Sequence, residues 1–327
     1  MKTPPVITRR SAAAAIALTA LGVRPAQAQE DFPNRAIRIV VGSAAGTGPD
    51  IIARLLANQL SQRWPGAGAV VQNTTGSNHL IAAQEVARAA PDGYTLLLGP
   101  TSLLSIAPLT TKLPIDLERE FTPVSLFADS DFVLLVNPER VPARSPKEFL
   151  TWAKAQKSIF MGTFGAGSIG HFGSYVLSGA ADLKPEMVHY RNTADVIGAL
   201  YRGDVQGAFA TVGLAVAQTS NGRLVALAST GTKRTTKLAG VPTFTEAGFP
   251  DVSFTSWFGL VAPARTPPVV IERLQVATQA AAREAAASID TAGFRPMGST
   301  SEEFRRLIVA DTRLWGKVIR ETGFKAE

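Results

Sequence analysis

The chain has 327 residues, 46% of them hydrophobic, with a formal net charge of +7 and no cysteine. That length admits two domains, each with its own core, and the lack of cysteine excludes disulfides, thiol catalysis and a lipid-anchored N-terminus. The charge does not select nucleic acid or an acidic membrane as partner: removing residues 1–28 strips Lys2, Arg9, Arg10 and Arg24 and no acid, which brings +7 down to +3 on scattered residues.

At the start, Lys2, Arg9 and Arg10 precede an apolar run from Ala12 to Val23, and Ala26-Gln27-Ala28 offers a small-x-small cleavage pattern. The run is too short to span a bilayer and reads as an export signal over residues 1–28. Thr8-Arg9-Arg10-Ser11 is twin-arginine-like without the bulky apolar residues that usually follow, so both Sec and Tat routes stay open. Either route leads out of the cytoplasm and predicts a mature protein free in the periplasm or secreted.

Beyond the signal, strand-like Ala36–Val41 turns through a glycine-rich loop into a helix over Asp50–Gln62, followed by strand Ala69–Gln72, helix Leu80–Ala90 and strand Thr95–Gly99. This alternation predicts a parallel, helix-covered sheet. Two strands are expected at Phe121–Phe127 and Asp131–Val136. The alternation then restarts with helix Pro146–Ala155, strand Ser158–Gly162, a helix from His171, strand Glu186–Tyr190, helix Thr193–Tyr201, strand Gly207–Ala210, helix Leu214–Thr219 and strand Leu224–Ser229. Strand Trp257–Ala262, a long helix after Pro267-Pro268 and a final helix from Glu302 complete the chain. Thr300 and Glu303 form a capping box for that last helix, and Phe304 and Trp315 fall on its apolar face. The reading is α/β, with domain 1 built from 29–128 plus 252–327 and domain 2 from 129–251.

Two loops have the strand–glycine–helix grammar that leaves N–H groups at a helix start to receive an anion: Gly42–Pro49 and Phe164–Gly170. The first, with Gly42, Gly46 and Gly48, is not G-x-G-x-x-G, and Gln72-Asn73 stand where a dinucleotide site wants an acid. The second contains Ala166-Gly167-Ser168-Ile169-Gly170, one residue from a nucleophile elbow. A hydrolase using Ser168 would need Asp182 and His189, seven residues apart, which is cramped for two separate loops. His79, His171 and His189 share no metal-ligand spacing. No metal, cofactor or catalytic residue is expected.

The segments IRIVV and GTGPDIIAR at 37–54, VARAAPDGYTLLLG at 86–99, GxGSxGH at 165–171, VHYR at 188–191, ALYRGDVQ at 199–206, LAGVPTFTEAGFPDV at 238–252 and SWFGLVAPARTP at 256–267 occur in this order over nearly the whole mature chain. In them the sequence resembles the tripartite tricarboxylate transporter substrate-binding proteins, the Bug (Bordetella uptake gene) or TctC-like family. The resemblance implies a type II periplasmic binding protein fold, two α/β domains with a ligand cleft between them. The implied function is non-catalytic capture of a small carboxylate-bearing molecule. It also implies a monomer that serves a membrane permease of the TctA/TctB type or presents its ligand to a sensor kinase. Ligand contacts carry over onto Ser43, Ala44, Gly46, Thr47 and Asp50 in the first loop, Ser77, Asn78 and His79 before the second helix, and Thr163, Gly167, Ser168 and His171 in the second-domain loop. Tyr190, Arg191 and Thr211 complete the set. Where family loops read N-R-P-G-A-G-G, this chain has Asn73-Thr74-Thr75-Gly76-Ser77-Asn78-His79. Asn78, His79 and Arg191 are therefore expected to read the far end of an unusual ligand.

Overall fold

The computed structural model describes residues 32–190, 193–322 and 324. The expected export signal and Arg191 lie outside the described residues. The chain opens with β1 (Ile37–Val41), α1 (Gly48–Arg63), β2 (Ala69–Asn73), α2 (Leu80–Ala87) and β3 (Thr95–Pro100), and after two short helical turns reaches the long strand β4 (Phe121–Val136). It continues through α3 (Pro146–Lys154), β5 (Phe160–Thr163), α4 (Ile169–Ala181), β6 (Glu186–His189), α5 (Thr193–Arg202), β7 (Gly207–Thr211), α6 (Val212–Thr219) and β8 (Val225–Ser229). The last part holds β9 (Thr255–Pro263), α7 (Pro268–Glu284), α8 (Ala286–Thr291), β10 (Arg295–Pro296) and α9 (Ser301–Thr322).

Strand β1 lies between β2 and β3, parallel to both. Ile37, Ile39, Val40 and Val41 are all fully buried, the continuous apolar pattern of a strand covered on both faces. Strand β9 then pairs antiparallel with β3, and β4 antiparallel with β9. In a second lobe β5 pairs parallel with β6 and β7, while β7 and β8 both run antiparallel to β4.

The two strands expected at Phe121–Phe127 and Asp131–Val136 are one. Residues Ala128, Asp129 and Ser130 stay in register with Phe258, Trp257 and Ser256, so the ladder has no gap, only two irregularities near Pro123 and Phe127. Strand β4 is paired with β9 up to Asp131 and with β7 from Phe132 onward. A single strand thus serves both lobes.

Asp129 and Asp131, two residues apart, share one face of β4. Arg295 on β10 reaches both: its Nε and Nη2 donate to the two Asp129 carboxylate oxygens at 2.8 and 3.0 Å, and its Nη1 donates to Asp131. Asp131 is 2% exposed, and burial pushes its carboxyl up against the opposing pull of Arg295.

Helix α9 is the second shared element. Phe304, in its first turn, packs edge-on to Trp257 in the core of the first lobe. Trp315, Val318 and Ile319 instead enter the second lobe's core, where Trp315 meets Phe172 and Phe254. The capping box that begins the helix has both arms: Thr300 N–H donates to Glu303 at 2.8 Å and Glu303 N–H to Thr300 Oγ1 at 3.2 Å.

Replacing Arg295 by Met leaves buried Asp131 without its cation. The expected result is a loss of about 3–5 kcal/mol in urea unfolding, part of which R295M/D131N regains. Unchanged stability of R295M would show that the clamp contributes nothing.

Candidate functional site

A cavity of about 510 Å³ opens where the two glycine loops face each other. The first lobe contributes Ser43 from the β1–α1 connection, Pro49 at the start of α1, Asn78 and His79 from the turn before α2, Pro100 at the end of β3 and Ser102 just after it, and Ser256 and Phe258 from β9. The second lobe contributes Phe164 to Gly170 except Gly167, together with Thr211 and Leu214 at the start of α6; Phe132 of the shared strand forms part of the wall. These positions cluster at strand ends, where α/β folds hold ligands. None of the lining residues carries a formal charge.

The first loop is organised by its own carboxylate. Asp50, in the first turn of α1 and 2% exposed, accepts the Gly46 N–H at 2.8 Å and Arg54 Nε at 2.9 Å on one oxygen, and Asn73 Nδ2 at 2.9 Å on the other. The same Asn73 amide donates to the Ser43 carbonyl. The Arg54 hydrogen bond, with those of Gly46 and Asn73, holds the Asp50 carboxyl down at about 2. The anion position expected at this helix start is therefore filled internally, and the Gly46 N–H is spent on Asp50. Thr47 turns away as well, its hydroxyl donating to the Ala44 carbonyl at 2.6 Å.

Histidine 79 approaches from the next connection. Ser77, Asn78 and His79 have φ of 44°, 49° and 72°, three successive L-residues in left-handed conformations. Such positions are costly and concentrate where a side chain must be aimed. The His79 ring reaches Ser43, with Nδ1 3.4 Å from Oγ. A Cβ on Gly42 would sit 2.6 to 2.7 Å from the Cα, Cβ and Nδ1 of His79, so only glycine admits this approach. Burial lowers the His79 ring to about 4, which leaves it neutral at pH 7.

The second loop is stiffened from behind. Ser168 caps α4 by accepting the His171 N–H at 3.2 Å, and His171 Nδ1 accepts the Gly167 N–H at 3.1 Å. Serine and histidine here support the helix start and are not set as nucleophile and base. His171 is 1% exposed among Phe172, Tyr175, His189 and Phe324, with ring centroids 4.6 to 5.0 Å away. Burial, with the neighbouring His189, lowers it to about 4. Thr163 Oγ1 lies 2.6 Å from His189 Nδ1.

Of the residues expected from sequence, Ser43, Asn78, His79, Ser168 and Thr211 border the cavity. Ala44, Gly46, Thr47 and Ser77 are exposed outside its wall, and Asp50, Thr163, Gly167, His171 and Tyr190 stand outside it. The apolar wall of Phe132, Phe164, Phe258 and Leu214 had no separate signal, since alternating apolar residues in strands and helices read as core. Pro100 and Ser102 could have been sought, as they stand at and just after the C-terminal end of a parallel strand. A wider cleft of about 700 Å³ lies between the 108–118 segment and the Arg305–Arg313 part of α9, but neither glycine loop borders it.

The family model described as the tripartite tricarboxylate transporter family receptor matches residues 52–324. Protein BugT of Bordetella pertussis is 28% identical, with 98% of this chain and 99% of BugT covered. Among solved structures, R. palustris Rpa4515 with adipate is 27% identical with a TM-score of 0.80, over 90% of this chain and 99% of that one. MatC (Rpa3494) from Rhodopseudomonas palustris with bound malate is 26% identical with a TM-score of 0.74, over 88% of this chain and 100% of that one.

The sign of a pH effect follows from His171. Its folded value of about 4 lies below the ordinary 6.5, so the unfolded chain takes up a proton first as pH falls. The stability contributed by the neutral ring is complete above pH 6.5 and is lost toward pH 4, by about 3 kcal/mol. In urea melts, the stability advantage of the wild type over H171N is expected to shrink by that amount between pH 7 and pH 4. A gap independent of pH would exclude the effect.

Proposed function

The chain belongs to the tripartite tricarboxylate transporter receptor family, and on that premise we propose that it captures, in the periplasm, a small carboxylate with an apolar body. The observation that carries this reading is the cavity shared by two lobes, whose wall combines Ser43, Asn78, His79, Ser102, Ser168, Thr211 and Ser256 with Phe132, Phe164 and Phe258 and holds no charged side chain. Hydroxyls, amides and the start of α4 offer a carboxylate oriented dipoles, a helix terminus contributing about 0.3–1 kcal/mol. The aromatic wall takes the remainder of the molecule. The adipate and malate of the two related structures are small carboxylates, and adipate has the apolar body as well.

The finer parts of the reading are these. Residues 1–28 direct export by Sec or Tat with cleavage near Ala28, and the loaded receptor, a monomer, meets a TctA/TctB-type permease or a sensor kinase. Domain 1 comprises 29–128 plus 252–327 and domain 2 comprises 129–251; the exchange of partners along β4, from β9 up to Asp131 to β7 from Phe132, falls just past that first boundary. Helix α9 straps both, since its two ends enter different cores. Ligand held by both walls favours closure of one lobe on the other.

Thermal unfolding with adipate, malate, hexanoate and benzoate tests the reading. A true ligand at a hundred times its Kd stabilises by about 2.7 kcal/mol, and small-angle scattering should show a smaller radius of gyration in its presence. Failure of every acid to shift the melting temperature would overturn the carboxylate reading, and an unchanged scattering curve at saturation would overturn closure.

A further inference from the structure

We infer that capture of the acid is coupled to the uptake of a proton by His79, so that the receptor loads its ligand and a proton together; this rests on the carboxylate-binding reading of the same cavity. Among the described lining residues, His79 is the one side chain able to change charge between pH 4 and 8. The chargeable groups on the elements packed around it are already engaged. On α1, Asp50 is held by Arg54, Gly46 and Asn73. On α2, Glu85 is bound by Arg38, Gln72 and Thr74. The helical turn at Ser102–Ile106 has none, and across the cleft the His171 ring is turned to the Gly167 N–H.

Among the described residues lining the cavity, none carries a charge that offsets one on His79, and an arriving carboxylate does. An anion within about 4–6 Å raises the pKa of a neighbouring base by roughly 1–3 units. From about 4 in the free protein, the ring then titrates between about 5 and 7. The proton comes from bulk water on loading and returns to it on release. Ser43 is suited to both states, because its hydroxyl donates to a bare ring nitrogen and accepts from a protonated one. The left-handed run Ser77–His79 and the missing side chain at Gly42 fix the ring in that place before ligand arrives. The affinity for an ionised acid thus rises as pH falls below about 7, until the acid itself takes up protons.

The test is calorimetric titration of the mature protein with adipate and with malate at pH 5.5, in two buffers of different ionisation enthalpy. Uptake of roughly 0.2–0.9 proton per ligand is expected, beyond the uptake measured for H79N, whose asparagine tolerates the left-handed backbone. The chain has three histidines, so ring resonances in the wild type also report the His79 titration directly, and a shift of that curve to higher pH with ligand supports the coupling even if H79N folds poorly. Binding without excess proton uptake and without a moved His79 titration overturns this inference and leaves the receptor reading intact. Absence of binding by adipate, malate, hexanoate and benzoate alike at pH 5.5 and pH 7 overturns the carboxylate reading and this inference with it.

Discussion

Strand β4 is the member on which the two lobes depend. It enters with β9 and β10 as neighbours and leaves between β7 and β8, so the sheet is continuous from one lobe into the other. At the point where the strand changes partners, Asp129 and Asp131 stand on the same face. Two carboxylates so close would repel, and both are buried, Asp131 the more deeply. Arg295 resolves both problems from β10, its planar fork bonded twice to Asp129 and once to Asp131. Arg295 offsets part of the cost of burying these charges, while Asp131 Oδ1 stays buried without a hydrogen-bond partner.

A second constraint concerns where the negative charge goes. Helix starts attract anions, yet the start of α1 has been given to Asp50, which saturates the Gly46 amide and orders the loop through Asn73. The start of α4 carries no carboxylate: Ser168 and the His171 ring support it with neutral groups. The two glycine loops, alike in sequence grammar, therefore do different work. The first is a rigid wall, and the second keeps an uncompensated positive dipole end beside the cavity.

That difference marks the limit of what the sequence discloses. The alternation of strands and helices and the two glycine loops could be read from periodicity and glycine placement, and the terminal capping box from Thr300 and Glu303. The continuity of β4 could not, because Ala128 to Ser130 look like a break when their partners on β9, more than a hundred residues away, are unknown. Nor could the fate of Asp50, since a carboxylate at a helix start looks the same whether it greets a ligand's counter-charge or fills the site itself. His171 carries the same lesson: it falls in the expected loop, but its ring is turned inward among aromatic neighbours and acts by holding Gly167. Only tertiary packing separates a ligand contact from its support.

The turn before α2 shows how a change of side chains on one wall is met on another. Loops of the family's glycine-rich type reach positive φ at little steric cost, whereas Ser77, Asn78 and His79 reach it with side chains attached, at about 1–3 kcal/mol each. That outlay needs a structural return, and the contact at Gly42 identifies it. The glycine's missing Cβ is the space into which the His79 backbone and ring fit at 2.6 to 2.7 Å from where that atom would lie. Freedom surrendered in one loop is thus recovered as room in the other, and a neutral imidazole comes to stand beside Ser43 in a wall that otherwise holds no titrating group. A wall built only of glycine amides would bind an anion at any pH. One that carries a desolvated histidine makes the same binding depend on the availability of protons.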